Sequence, residues 1–176
     1  NYNFDHVSKY IDELIVLDVS KDRRQPEKFS QVLKDLTERV FVPIASGGGI
    51  NSFEKAKLLL DSGADKVIVN SALFKDLELI KKLACEFGSQ CIVGSLDVKK
   101  IDEEYKLFIE NGTKQVLKEK KQIIGILKSS PIGEIIIHSI DKDGTGQGYD
   151  FNSLEIFNNE VNLPVILSAM KISHFF

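Results

Sequence analysis

Six short apolar runs, rich in β-branched residues, punctuate the chain: Leu14-Ile15-Val16-Leu17, Val42-Pro43-Ile44-Ala45, Lys66-Val67-Ile68-Val69-Asn70, Cys91-Ile92-Val93-Gly94-Ser95-Leu96, Glu134-Ile135-Ile136-Ile137 and Pro164-Val165-Ile166-Leu167. Continuous runs of this kind suit strands buried on both faces, as in a parallel sheet. Between them the apolar positions recur at helical spacing. From Ser52 to Ser62, Phe53, Ala56, Leu59 and Leu60 share a face, Ser52 can cap the start, and Gly63 suits a left-handed stop. Asp76 to Phe87 repeats the plan, with Leu79, Ile80, Leu83 and Phe87 apolar and Gly88 as the stop. Strand–helix–strand units of about 25–30 residues predict right-handed βαβ crossovers. The longer interval from Asp97 to Glu134 leaves room for a small hairpin, Tyr105 to Ile109 turning at Asn111-Gly112, before a helix from Leu117 to Leu127.

A repeat separates a barrel from an open sheet. Glu13-Leu14-Ile15-Val16 and Glu134-Ile135-Ile136-Ile137 are each followed, 30 residues after the Glu, by a Pro that opens the next strand, Pro43 and Pro164. Ser20-Lys21-Asp22 and Asp141-Lys142-Asp143 echo one another loosely. The offset of 121 residues equals about four β/α units. The expected fold is therefore α/β, a parallel (β/α)8 barrel of two duplicated half-barrels, with residues 1–176 as one barrel domain. Six visible strands against eight leave the first and last without a counterpart in the chain.

With 176 residues, 43% of them hydrophobic and 28% charged, the chain can bury a sizeable core. A net charge of −3 argues against a nucleic-acid surface, and the lysine pairs read as solvated helix faces. Cys85 and Cys91 fit neither a zinc site nor a redox pair and read as reduced core or near-core residues. No apolar run approaches the roughly 18 residues of a membrane span, and the start lacks the pattern of a signal peptide. The expectation is a cytoplasmic protein without metal or cofactor.

In a parallel barrel all strand C-termini meet at one face, so polar residues at those ends are the candidates for chemistry. Ser46-Gly47-Gly48-Gly49-Ile50 follows a strand and precedes a helix cap. Without Cβ bulk, its backbone N–H groups and the helix N-terminus can approach a phosphate, although the same glycines would also suit a tight turn. Asn70-Ser71 offers an amide and a hydroxyl to the same anion, or simply caps a helix. Ser139 to Gly148, with Asp143-Gly144-Thr145 at its centre, reads as a ligand loop, against a surface turn or a calcium loop lacking its later Glu. Asp18 and Asp97 each end a strand, and a carboxylate there suits a pocket-facing acid or base. His138 lies within its strand and could face either the barrel or the helices. His6 and His174 have no constellation around them.

Gly47-Gly48-Gly49-Ile50, Gly63-Ala64-Asp65-Lys66-Val67 leading to Asn70-Ser71-Ala72, Phe87-Gly88-Ser89-Gln90, Asp97-Val98-Lys99, Gly133-Glu134-Ile135 and Asp141-Lys142-Asp143-Gly144-Thr145 with Gly148-Tyr149-Asp150 occur in register. From about Ile11 to Ser168 the chain resembles the cyclase subunit of imidazole glycerol phosphate synthase, a histidine-biosynthesis family. The resemblance implies a duplicated (β/α)8 barrel acting as a lyase. Ammonia from a glutaminase partner, a class I amidotransferase docked at the N-terminal face, would react with a ribulosyl-formimino aminoimidazole carboxamide nucleotide. The products would be imidazole glycerol phosphate and an aminoimidazole carboxamide ribotide. One catalytic Asp of that family, at the end of the fifth strand, matches Asp97, while the Asp on the first strand has no counterpart here. Gly48, Gly49, Asn70 and Ser71 match one phosphate site of the phosphorylated substrate. Asp143, Gly144 and the strand end at Ser168 match the other, with Thr145 beside them. Glu13, Lys66 and Glu134 fall on three positions of the charged ring through which ammonia enters. Ion pairing that merely seals the barrel bottom would use the same residues.

Two departures qualify the likeness. After Ser168 the family has two glycines, where this chain reads Ala169-Met170-Lys171, and a methionine there would obstruct the second phosphate site. Tyr10 runs straight into Ile11-Asp12-Glu13, too short a connection for a crossover helix. Both are expected if the chain omits flexible segments of a longer polypeptide. The family's basic hairpin is also replaced by Glu110-Asn111-Gly112-Thr113-Lys114-Gln115-Val116-Leu117. That is more similar to barrel homologues encoded with surface-polysaccharide genes, thought to pass ammonia to a sugar-modifying amidotransferase. A catalytically silent phosphate-binding barrel that only activates a glutaminase is the third expectation.

Overall fold

The computed structural model describes residues 10–20, 24–156 and 160–168. Its framework is a run of parallel strands, β1 (Leu14–Leu17), β2 (Ile44–Gly47), β3 (Lys66–Val69) and β4 (Ile92–Ile101). The antiparallel strands β5 (Glu104–Ile109) and β6 (Lys114–Gln115) come next, and then the parallel β7 (Glu134–Ser139) and β8 (Val165–Ser168). Neighbours follow the order β1-β2-β3-β4-β7-β8, all parallel, with β5 and β6 attached beside the upper half of β4. Helices α1 (Pro26–Thr37), α2 (Phe53–Asp61), the short α3 (Ser71–Lys75), α4 (Leu77–Phe87) and α5 (Lys120–Ser129) occupy the connections. This is the consecutive parallel order of a barrel wall.

Alternation along the strands sorts side chains into two cores. One packs the sheet against the helices, through Leu33, Leu59, Leu83, Ile92, Leu96, Ile135 and Ile137 among others. The second is small and lies on the opposite face: Ala45, Ile68, Val93 and Ile136, with Ile15, Leu17 and Ile166 packed on it. These are the inward layers of a barrel, and the same alternation carries Glu13, Lys66 and Glu134 to one end of that face. Asn70, Ser95, Asp97, His138 and Ser168 reach the other.

The helices start and stop for local reasons. Ser52 caps α2 by accepting from Lys55 N at 3.2 Å, and Asp76 caps α4 by accepting from Leu79 N at 3.0 Å. Helix α1 carries a proline in its first turn, where a missing N–H costs nothing. The long segment Asp141 to Asp150 closes with a 3-10 turn at Phe151–Ile156.

Four expectations shift. Strand β2 begins at Ile44 rather than Val42, because Pro43 has no N–H to give and Ile44 N is the first to pair, donating to Asp65 Oδ2 at 2.8 Å. Gly47 therefore belongs to the strand. Strand β4 runs on to Ile101 and reverses at Asp102-Glu103, both with positive φ (49° and 64°), before the expected turn at Glu110-Asn111-Gly112 reverses the chain again. Helix α5 starts at Lys120, since Gln122 Oε1 accepts from Glu119 N at 3.0 Å and defines the first turn, leaving Leu117 exposed. Cys85 is exposed and Cys91 half-buried, both free, so Cys85 is not the core residue expected. Among the described residues no helix is long and apolar enough to cross a membrane. Lys21, Asp22, His6, His174 and the sequence Ala169-Met170-Lys171 lie outside the described residues.

Candidate functional site

The glycine run is built for close approach. Gly48 has φ +118°, and a Cβ there would sit 2.4 Å from Asp18 O, so no other residue fits without moving β1. Gly49 has φ +60°, and its missing side chain makes room for the Arg24 guanidinium, whose Nη1 would lie 1.1 Å from a Cβ. Arg24 is steadied by donating from Nε to Ser20 O at 3.1 Å and from Nη2 to Asn111 Oδ1 at 3.2 Å. From the first turn of α2, Lys55 Nζ donates to Gly49 O at 2.9 Å. Its ammonium is held below the ordinary lysine value by burial and then by the charge of Arg24, with Asp18 opposing. Two cations and a helix N-terminus thus converge on one glycine turn, an arrangement that favours an anion there beyond the partial offset from Asp18.

Asp18 is buried. Its backbone N–H donates to Gly47 O at 2.9 Å, and its Oδ1 accepts from Ser20 N at 3.0 Å. It therefore positions Ser20, whose carbonyl accepts from Arg24. Asn70 donates from Nδ2 to Ser95 O at 3.1 Å and to Phe108 O at 3.4 Å, and Ser71 Oγ accepts from Glu110 N at 3.1 Å. The β5–β6 turn is thereby fastened over the ends of β3 and β4. Glu110 pairs with Lys75 and lies 3.8 Å from Lys114 Nζ.

At the centre of the mouth, Asp97 on β4 stands in direct register with His138 on β7, and His138 with Ser168 on β8. Burial pushes the Asp97 carboxyl above the usual range, partly offset by the charge of His138 and by the hydroxyl of Ser95, which donates to Asp97 Oδ1 at 3.2 Å. His138 Nδ1 lies 3.4 Å from Ser168 Oγ, and Nε2 lies 3.9 Å from Asp143 Oδ2. Asp143 is turned inward, whereas Gly144 and Thr145 stay exposed at the rim. Thr145 Oγ1 is occupied within its own turn, donating to Lys142 O at 2.9 Å and accepting from Gln147 N at 3.2 Å. The loop is anchored by Asp141, whose Oδ2 accepts from Lys100 N at 2.7 Å, and by Asp150, which accepts from Tyr105 Oη at 2.8 Å and Ser139 Oγ at 3.2 Å.

At the opposite end of the inward face, Lys66 Nζ lies 2.5 Å from Glu134 Oε1 and 3.0 Å from Glu13 Oε1. Burial alone would lower this ammonium, but the hydrogen bonds to Glu134 and Glu13 outweigh it and hold Lys66 above its ordinary value.

A family described as histidine biosynthesis protein matches residues 4–174. The chain belongs to the histidine biosynthesis protein family. The hisF2 chain named for imidazole glycerol phosphate synthase in Parasynechococcus marenigrum (strain WH8102) is 41% identical over 167 residues, covering 95% of this chain and 62% of its own length. The imidazole glycerol phosphate synthase subunit HisF of Chlorobium luteolum is 36% identical over 167 residues, or 94% of this chain and 66% of its own. The HisF subunit of Endomicrobium trichonymphae is 39% identical over 172 residues, with 93% and 64% covered. The chain thus spans a little under two thirds of the length of these relatives. As a member of that family it has the (β/α)8 barrel fold, of which the described residues supply six parallel strands.

Two residues of the mouth, and the facing of a third, escape the sequence. Arg24 follows a loop whose path no periodicity reveals, Lys55 looks like one more helix-surface lysine, and the facing of His138 depends on register. A signal did exist for Lys55: a cation in the first turn of a helix opposes the helix dipole and calls for a reason.

Proposed function

We propose that this chain forms the greater part of an ammonia-dependent cyclase–lyase subunit, fed by a glutaminase partner at the N-terminal end of the barrel. The substrate would be a ribulosyl-formimino aminoimidazole carboxamide nucleotide and the ring product imidazole glycerol phosphate. The observation that carries this reading is the alignment of Asp97 with the Lys66 triad at opposite ends of one inward strand face, beside a glycine turn carrying two cations. Asp97, whose burial favours the neutral acid, can give and take back a proton as the ring closes and the carbon–nitrogen bond breaks. The Gly48-Gly49 turn with Arg24 and Lys55 would hold one phosphate, while the exposed Asp143-Gly144-Thr145 loop with Ser168 would border the other. Lys66, Glu13 and Glu134 would admit ammonia from the partner's side. The relatives named HisF support the substrate class.

A second reading has one observation in its favour. The turn that covers Asn70 and Ser71 carries the Glu110 carboxylate close to the phosphate site, and an anion there suits a substrate bearing less phosphate charge, such as a nucleotide-linked sugar. The two readings part in a single assay. The full-length protein with ammonium salt should convert the formimino nucleotide to imidazole glycerol phosphate, and Asp97→Asn should cut kcat by about 100-fold or more while leaving binding of the phosphate ester within a few-fold. Absence of turnover at high ammonium defeats the first reading, and ammonium-dependent modification of a nucleotide-linked sugar instead establishes the second.

A further inference from the structure

Asp97, His138 and Ser168 form one level row across β4, β7 and β8, and each is the direct register partner of the next. Their side chains all point into the barrel, because parallel partners in register share a face. A histidine present only to fill this layer would be enclosed by apolar groups. Here the row below, Ser95, Ile136 and Ile166, is largely apolar, while the row of His138 is polar throughout, with Asp97 and Ser168 on either side of it. Its imidazole is 16% exposed, so solvent or a ligand reaches it. Each ring nitrogen faces a different partner, Nδ1 the Ser168 hydroxyl at 3.4 Å and Nε2 the Asp143 carboxylate at 3.9 Å. Among the described residues the charged groups facing the ring are Asp97 from β4 and Asp143 from the loop after β7, and β8 contributes the uncharged Ser168. Asp143 Oδ1 is buried and has no hydrogen-bond partner among the described residues. An imidazole flanked by carboxylates, one of them incompletely paired, is the arrangement in which a ring is oriented for proton transfer.

We propose that His138 is a further proton-transfer residue of this site, acting with Asp97 across the β4–β7 pair, with Ser168 and Asp143 beside its two ring nitrogens. This rests on the cyclase–lyase reading for the identity of the substrate, though not for the pairing itself. In the exchange at the formimino carbon, the incoming nitrogen forms its bond to carbon and sheds one proton to the neutral imidazole. The bond from that carbon to the departing nitrogen then breaks, its electron pair stays on nitrogen, and the neutral Asp97 carboxyl gives its proton there. The imidazolium then passes its proton to the Asp97 carboxylate, so both groups return to their starting states and no net charge or oxidation state changes.

Two measurements on the full-length protein test this. The first needs no substrate. Carboxyl carbon resonances followed from pH 3 to pH 9 should show Asp97 titrating higher in His138→Gln than in the wild type, because the cation that opposes its burial is gone. An unchanged Asp97 titration overturns the pairing. The second is kinetic: with saturating ammonium and nucleotide, His138→Gln and His138→Asn should each lower kcat about 100-fold, leave KM within about threefold, and lose one limb of the kcat–pH profile. Near-normal kcat with an unaltered profile in folded variants, as judged by circular dichroism, overturns the catalytic role. If the wild type turns over no formimino nucleotide, the cyclase–lyase reading falls, and the pairing is decided by the Asp97 titration alone.

Discussion

Asp97 shows what a single reactive side chain costs its fold. Burial raises its carboxyl above the usual range, so between the unfolded and folded titrations the native state binds more protons than the unfolded chain. Stability therefore falls as pH rises through that window, and the penalty is complete once pH exceeds the raised folded titration. Asp97→Asn removes the charge and keeps an oxygen that can accept from the Ser95 hydroxyl. The variant should be more stable than the wild type by about 1 kcal/mol at pH 7, a gain that vanishes below the ordinary aspartate range. Urea unfolding at pH 7 and pH 3 reads the difference, and equal stabilities at pH 7 would mean that the carboxylate is adequately solvated. Asp97 itself was legible in the sequence, because a carboxylate ending a buried strand has few structural reasons to exist. Arg24 and Lys55 were not, since their meaning comes from Gly49, which lies 25 residues from one and six from the other.

At the scale of elements, the β5–β6 hairpin and the Asp141 to Asp150 loop are tied together through one tyrosine. Tyr105 Oη donates to Asp150 Oδ1 at 2.8 Å, and burial with this acceptor raises the phenol well above its ordinary titration. The other Asp150 oxygen accepts from Ser139 Oγ on β7. Tyr105→Phe keeps the ring and deletes the tie, so it should lower stability by about 1 kcal/mol. It should also speed amide exchange selectively at residues 141–150, and uniform protection in the variant would show that the loop is held by other means. The strands themselves were legible from their apolar runs, and the helices that begin at Ser52 and Asp76 were legible from their caps. The reversal at Asp102-Glu103 was not. Positive φ at two acidic residues is set by the pairing of β4 with β5, whereas sequence signals of such turns rely on Asn and Gly.

At the scale of the whole molecule, the 121-residue repeat reveals a barrel because it places Glu13 and Glu134 at equivalent positions of two halves, and Lys66 lies between them in the folded protein. One ammonium thus joins both halves at the end of the barrel away from Asp97. Lys66→Met would leave two carboxylates facing a single unsatisfied position, with the remaining side chains only partly exposed to water. The loss should be about 1–3 kcal/mol, short of that for a fully buried pair because solvent reaches all three groups. Its pH dependence identifies the cause. In the wild type the contribution of Lys66, whose folded titration is raised, persists through neutral pH and is lost only as pH rises through that raised value. In the variant, protonating one carboxyl relieves the repulsion, so the stability gap should be widest near pH 8 and narrow toward pH 4. Adding Glu134→Gln to Lys66→Met should recover much of the loss at pH 8. A gap of constant size from pH 4 to pH 8, or no recovery in the double variant, would mean that Lys66 acts there through packing of its stem rather than through charge.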